Sequence, residues 1–152
     1  MFTLHGTGTY IVGRGKVAIV DPGPNLPEHV DALLEAVRGE TVTDIVITHT
    51  HIDHSPATPA VKAATGATTW GFGPHGTPSG TAEVEEGADR DFVPDHEIGD
   101  GDFVAGNNWT LEPIHTPGHT SNHLCLSLRC LLYTSDAADD TPCVDLGGRR
   151  II

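Results

Sequence analysis

Residues 44–54 read Asp-Ile-Val-Ile-Thr-His-Thr-His-Ile-Asp-His, and the rest of the chain is read outward from them. Asp44–Thr48 is a short apolar run of strand type. Directly after it, His49, His51, Asp53 and His54 place four metal-competent side chains within six positions. Imidazole nitrogen and carboxylate oxygen are donors that borderline divalent cations such as Zn²⁺ accept. His49 and His51 are two apart, so on an extended segment both point the same way. Asp53 and His54 follow where the chain should turn, and so can face a different point. One His pair plus one Asp-His pair starts two adjacent metal positions. The plain alternative is a solvated loop rich in His and Asp. It explains a lone histidine better than it explains this spacing.

Upstream, Thr9–Val12 and Lys16–Val20 flank Gly13-Arg-Gly15 and predict a β-hairpin. Asp21-Pro-Gly-Pro24 stops it. A helix follows from Asn25 or Leu26, with Pro27 in its first turn and Gly39 past its end. Val30, Leu33, Leu34 and Val37 give it one apolar face. Downstream, a second helix is expected over about 57–64, closed by Gly66, and then a strand over 67–70. Residues 71–91, rich in Gly, Pro and acid, read as a long loop. Short strands are expected around 92–98, 103–105, 109–114 and 123–128. The order suggests α/β sheet layered with helices. His115-Thr-Pro-Gly-His119-Thr120 supplies a second motif, whose Pro-Gly turn would aim His119 from a loop tip. A third His would complete a three-ligand site with an open position for water.

Composition narrows the function. The 152 residues suit one domain. The formal charge of −13 repels phosphate backbones, which disfavours nucleic acid and acidic membranes as partners. No apolar run approaches the ~20 residues of a membrane span. Residues 1–5 lack the basic head and apolar stretch of a signal peptide. The expectation is a cytoplasmic protein acting on a small molecule, its oligomeric state open. Cys125, Cys130 and Cys143 do not form a disulfide framework.

Taken together, the two histidine motifs resemble the metallo-β-lactamase fold superfamily, nearest to its glyoxalase-II-like branch. Thr48–His54 matches the T-H-x-H-x-D-H signature, and His115–Thr120 matches the later histidine motif. Val20–Pro24 looks like the family's early Asp motif, and Asp100-Gly-Asp102 is typical in placement. The resemblance implies an α/β fold, an αββα sandwich with metals at one edge of its two sheets. It implies a first metal held by His49, His51 and His119, and a second by Asp53 and His54. Asp21 would hold the ligand loop in place. It also implies a zinc-dependent hydrolase with two Zn²⁺ in the intact parent, iron or manganese being the alternatives. A metal-activated water would attack an ester, thioester, lactone or amide bond, with Asp53 as the catalytic carboxylate. The rival readings are a noncatalytic metal-binding remnant and a ribonuclease of the same fold. A di-iron redox relative would carry a carboxylate at position 51, where this chain has His51.

The pattern departs from the family after the second motif. No His follows His123, so the second site's last ligand cannot be assigned, nor can a bridging Asp. Residues 130–139 and 143–152 match the translation of a transposase-type sequencing adapter, the gap between them having the length of a sample barcode. The expected organisation is therefore an incomplete domain over 1–129 and a non-native tail over 130–152. A sandwich lacking its C-terminal part should leave edge strands open, and such a chain should fold poorly and be weakly active or inactive. His115 reads either as a support behind the ligands or as strand-end packing. His123 reads as a pocket or surface residue. His5, His29, His75 and His96 read as solvated, and Trp70 and Trp109 as core.

Overall fold

The computed structural model describes residues 7–74 and 87–129, and the backbone of 148–151. The expected hairpin is β1 (Thr9–Arg14) and β2 (Lys16–Val20), antiparallel with Ile11 opposite Ile19. Helix α1 (Pro27–Ala36) starts with Pro27 in its first turn and Glu28 near its positive end. β3 (Thr41–Val46) lies parallel to β2. α2 (Thr58–Thr65) stops at Gly66, whose φ of +74° is the left-handed conformation that ends helices cheaply when no Cβ is present. β4 (Thr68–Gly71) and β5 (His96–Glu97) continue the parallel pairing.

The first sheet has six strands in the order β5-β4-β3-β2-β1-β9, where β9 (Gly148–Ile151) runs antiparallel to β1. Open edges were expected of an incomplete sandwich, and the outer edge of β1 is paired by backbone from beyond residue 129. The second sheet has three antiparallel strands in the order β6-β7-β8: β6 (Val104–Ala105), β7 (Thr110–His115) and β8 (Leu124–Arg129).

Period-two alternation explains how the layers stack. Ile11, Val17, Ile19 and Ile45 face α1 and α2, meeting Val30, Leu33, Val37 and Val61. Their neighbours Val12, Ala18, Val20 and Val46 face the other way, meeting Trp109, Leu111 and Leu124 of the second-sheet side. Strands apolar on both faces belong between two layers. The helices therefore cover one side of the six-stranded sheet and the short sheet covers the other. Trp109, 2% exposed, is fixed by its indole N–H, which donates to the Lys16 carbonyl at 3.0 Å. Gly13, at φ +98°, makes room for that ring: a Cβ there would lie 2.2 Å from Trp109 Cδ1.

Two strand expectations shift. The 92–98 stretch yields only the two residues of β5, because side chains replace its ladder: Thr69 N–H donates to Asp95 Oδ2 at 2.9 Å, and Asp95 N–H donates to Thr69 Oγ1 at 2.9 Å. β3 stops at Val46, because the Thr48 N–H is taken by the Asp21 carboxylate at 2.8 Å. No helix among the described residues is long and apolar enough to cross a membrane. Part of the 71–91 loop, with His75, lies outside the described residues, as does His5.

Candidate metal centre

The site grows from the carboxyl ends of β2 and β3. Asp21 extends the ladder, its N–H donating to the Val46 carbonyl at 3.0 Å, and then turns with φ +50°. That turn carries its carboxylate, 4% exposed as a residue, under the histidine segment. There it accepts from Thr48 N–H at 2.8 Å, Thr48 Oγ1 at 2.6 Å and His54 Nδ1 at 2.9 Å. A buried carboxylate persists when such donors replace water. The early Asp therefore holds the loop, as the motif implied. If His54 donates through Nδ1, its Nε2 lone pair is left for a cation.

The structure brings His49, His51 and His119 together. One nitrogen from each falls within 4.8 Å of the others, and His49 Nε2 lies 3.1 Å from His51 Nδ1. Zn–N bonds of 2.0–2.1 Å in a tetrahedron put ligand nitrogens about 3.3 Å apart, so the trio fits one cation after small rotations. His49 is buried, His51 half-buried and His119 exposed, which leaves one side accessible. Burial pushes the His49 imidazole down to about 3, with His54, His51, His119 and His123 adding repulsion. A neutral imidazole is the form that binds metal.

Asp53 and His54 form the other half. Asp53 Oδ2 lies 3.6 Å from His54 Nε2 and accepts a hydrogen bond from the Thr7 hydroxyl. Burial works to raise the Asp53 carboxyl, but the Thr7 hydroxyl and the His54 charge outweigh it and hold the group low. Burial likewise works against a charged His54, while the Asp21 hydrogen bond and charge more than offset it and raise the group. The His54 ring lies 4.0 Å from the His49 ring. All five expected ligands thus lie in one neighbourhood, three around one point and two beside it.

Several contacts were invisible in the sequence. His123 is no surface residue: its ring sits 5.2 Å from that of His49, and its Nδ1 is 2.8 Å from Thr116 Oγ1. Asn122 was not singled out at all, yet it is buried and donates to Thr50 Oγ1 at 2.9 Å. His115 packs at the strand end as expected, stacked on Phe72 at 3.9 Å. His96 is exposed as expected, its ring 4.6 Å from that of Trp70. His29 is instead half-buried, 2.7 Å from the Pro22 carbonyl. The end of the 71–91 loop pairs with the histidine segment: Ile52 N–H donates to the Gly87 carbonyl at 2.8 Å, and Asp89 N–H to the Thr50 carbonyl at 2.7 Å.

A cavity of about 500 Å³ lies behind His49 and His54, walled by Val12, Val20, Leu111, Leu124, Leu126 and Leu128. Four of these belong to the inter-sheet core. Asp21, Thr48, His49, His54 and His123 line its polar end.

Residues 3–131 match the model of the metallo-beta-lactamase superfamily. An atrochrysone carboxyl ACP thioesterase from Aspergillus novofumigatus is 33% identical over 131 residues, which are 84% of this chain and 36% of that protein. The chain thus spans little more than a third of that relative's length. The crystal structure of ETHE1 from Myxococcus xanthus superposes with a TM-score of 0.59 at 27% identity, covering 79% of this chain and 48% of that one. The class B3 di-zinc metallo-beta-lactamase LRA-12 from an Alaskan soil metagenome gives 0.60 at 22% identity, covering 76% and 48%. That likeness speaks for the fold alone. With the family model matched over most of its length, this chain belongs to the metallo-beta-lactamase superfamily.

Proposed function

We infer that this chain carries the metal-binding half of a zinc-dependent hydrolase acting on an ester, thioester, lactone or amide bond of a small molecule. The observation that carries the reading is the convergence of His49, His51 and His119 nitrogens within 4.8 Å. The thioesterase relative, 33% identical over 131 residues, supports it. His49, His51 and His119 would hold one cation, and Asp53 and His54 would hold or begin a second. Bound there, zinc supplies Lewis acidity: it lowers the pKa of water toward ~7 and polarises a carbonyl.

The chain's own residues do the rest. Asp21 fixes the His54 tautomer and the path of residues 48–54. Asp53 accepts from the Thr7 hydroxyl through Oδ2, and its carboxylate would orient the attacking water and accept its proton. His49 stays neutral through burial and so does not compete for that proton.

On this reading residues 1–129 would be an incomplete domain, and 130–152 a tail of other origin. Genomic DNA encoding 130–152 in frame with the rest would overturn that assignment.

The functional test is zinc titration of the metal-free chain followed by a thioester and lactone hydrolysis panel. Zinc bound through His119, with turnover lost in Asp53→Asn, is the expected result for the intact protein. Zinc bound with no turnover by the intact protein would favour a noncatalytic metal-binding module. No zinc binding would overturn the reading.

A further inference from the structure

A backbone bond joins the two histidine motifs. Leu124 N–H donates to the Thr48 carbonyl at 2.8 Å. One step inward, the His123 and His49 rings face each other at 5.2 Å. Beyond them a side chain makes a second link: Asn122 Nδ2 donates to Thr50 Oγ1 at 2.9 Å and to the Gly73 carbonyl at 3.2 Å.

Both Asn122 and Thr50 are buried, at 2% and 1% exposed. Thr50 lies between His49 and His51. Asn122 lies three residues after His119, on a loop closed by Thr116 N–H donating to the His123 carbonyl at 2.9 Å. The amide thus ties the segment bearing two of the nitrogens to the loop bearing the third. Its two amide N–H groups serve the two partners, one the hydroxyl and one the Gly73 carbonyl.

We propose that Asn122 is a positioning residue of the metal centre, its bond to Thr50 setting where the His119 loop stands relative to His49 and His51. The proposal rests on the reading of those three histidines as cation ligands. Outer-sphere partners of this kind typically change metal affinity by about 10–100-fold when lost.

The test is zinc affinity of the whole chain, measured by competition with a chromophoric chelator, beside a thermal melt of each metal-free variant. Asn122→Leu, close in volume but without donors, should bind zinc about 10–100-fold more weakly at a temperature where the melt shows it folded. Asn122→Asp can still accept from the Thr50 hydroxyl but leaves the Gly73 carbonyl without its donor, and should fall between. Thr50→Val should reproduce the loss, and the double variant should lose no more than either single one. A purely structural role would lower the melting temperature and leave the affinity of the folded chain unchanged. That result, or losses that multiply in the double variant, overturns the proposal. If Asn122→Leu does not fold, Thr50→Val decides: unchanged affinity in a folded Thr50→Val overturns it equally. Failure of the unsubstituted chain to bind zinc overturns the metal-centre reading, and this inference with it.

Discussion

Replacing Asp21 by Ala should be among the most damaging single changes in this chain. The carboxylate accepts three hydrogen bonds, from Thr48 N–H, Thr48 Oγ1 and His54 Nδ1, at 2.8, 2.6 and 2.9 Å. Leaving a buried donor unpaired costs about 1–3 kcal/mol each. The Thr48 hydroxyl can rotate to another partner, so two donors carry most of the loss. Alanine at φ +50° adds about 1 kcal/mol of backbone strain that Asp tolerates better. The total is about 3–7 kcal/mol, a large share of the ~5–15 kcal/mol that keeps a domain folded. At roughly 4 °C per kcal/mol, the melting temperature should fall by on the order of 12–28 °C.

Asp21→Asn keeps an acceptor for Thr48 N–H and tolerates positive φ, so its loss should be about 1–2 kcal/mol. It also turns an N–H₂ toward His54 Nδ1, which favours the tautomer that closes Nε2 to a cation. Asp21→Gly separates the two costs, because it removes the hydrogen bonds without the strain. The assay is thermal and urea denaturation of the metal-free chain, followed by circular dichroism. An Asp21→Ala variant melting within about 3 °C of its parent would refute the claim that this carboxylate anchors the histidine segment.

Other predictions probe separate links. His119→Ala removes an exposed ligand, so zinc affinity should collapse while the metal-free melting temperature stays within about 2 °C, as expected for a surface change; equal zinc binding would exclude His119 from the site. Gly13→Ala should cost more than about 2 kcal/mol in urea titrations, because its Cβ would overlap Trp109 at a positive φ. For pH, burial holds folded His49 to about 3, whereas an unfolded histidine titrates near 6.5. Between those values the unfolded chain binds a proton that the folded chain refuses. Stability from this group is therefore present above about pH 6.5 and lost as pH falls toward about 3, at up to about 1.4 kcal/mol per pH unit. His54 acts oppositely: its raised value adds stability that is present below about 6.5 and lost as pH rises through the folded value. Urea midpoints across the acid window should fall in the parent and fall less steeply in His49→Gln; parallel slopes would remove His49 as the source.

Local spacing made the hairpin, both helices and the first histidine motif readable, because each depends on residues within one element. Gly66 past α2 and the Val30/Leu33/Val37 face of α1 were legible for that reason. What escaped was decided by distant partners. β5 shrank because Asp95, far from Thr69 in sequence, substituted its side chain for the ladder. Nothing near Asn122 in the sequence announces that its amide faces Thr50 across 72 residues. His123 joined the cluster across 74 positions of chain, its ring 5.2 Å from that of His49, where sequence left a pocket role and a surface role both open. The pairing of β1 with β9 was illegible for the same reason, since residues 148–151 show no strand pattern of their own.

The bond between Leu124 and Thr48 has a consequence in time as well as in space. His49 and His51 can approach each other early, being neighbours on one segment, but His119 arrives only after a long loop has closed. Closure over such a separation is slow compared with helix or hairpin formation. During refolding, the amide of Leu124 should become shielded from exchange in the same phase in which zinc begins to bind tightly, well after the hairpin amides of Ile11 and Ile19. The cation would then act as a latch on the last docking event of the fold, slowing its reversal and leaving the earlier steps untouched.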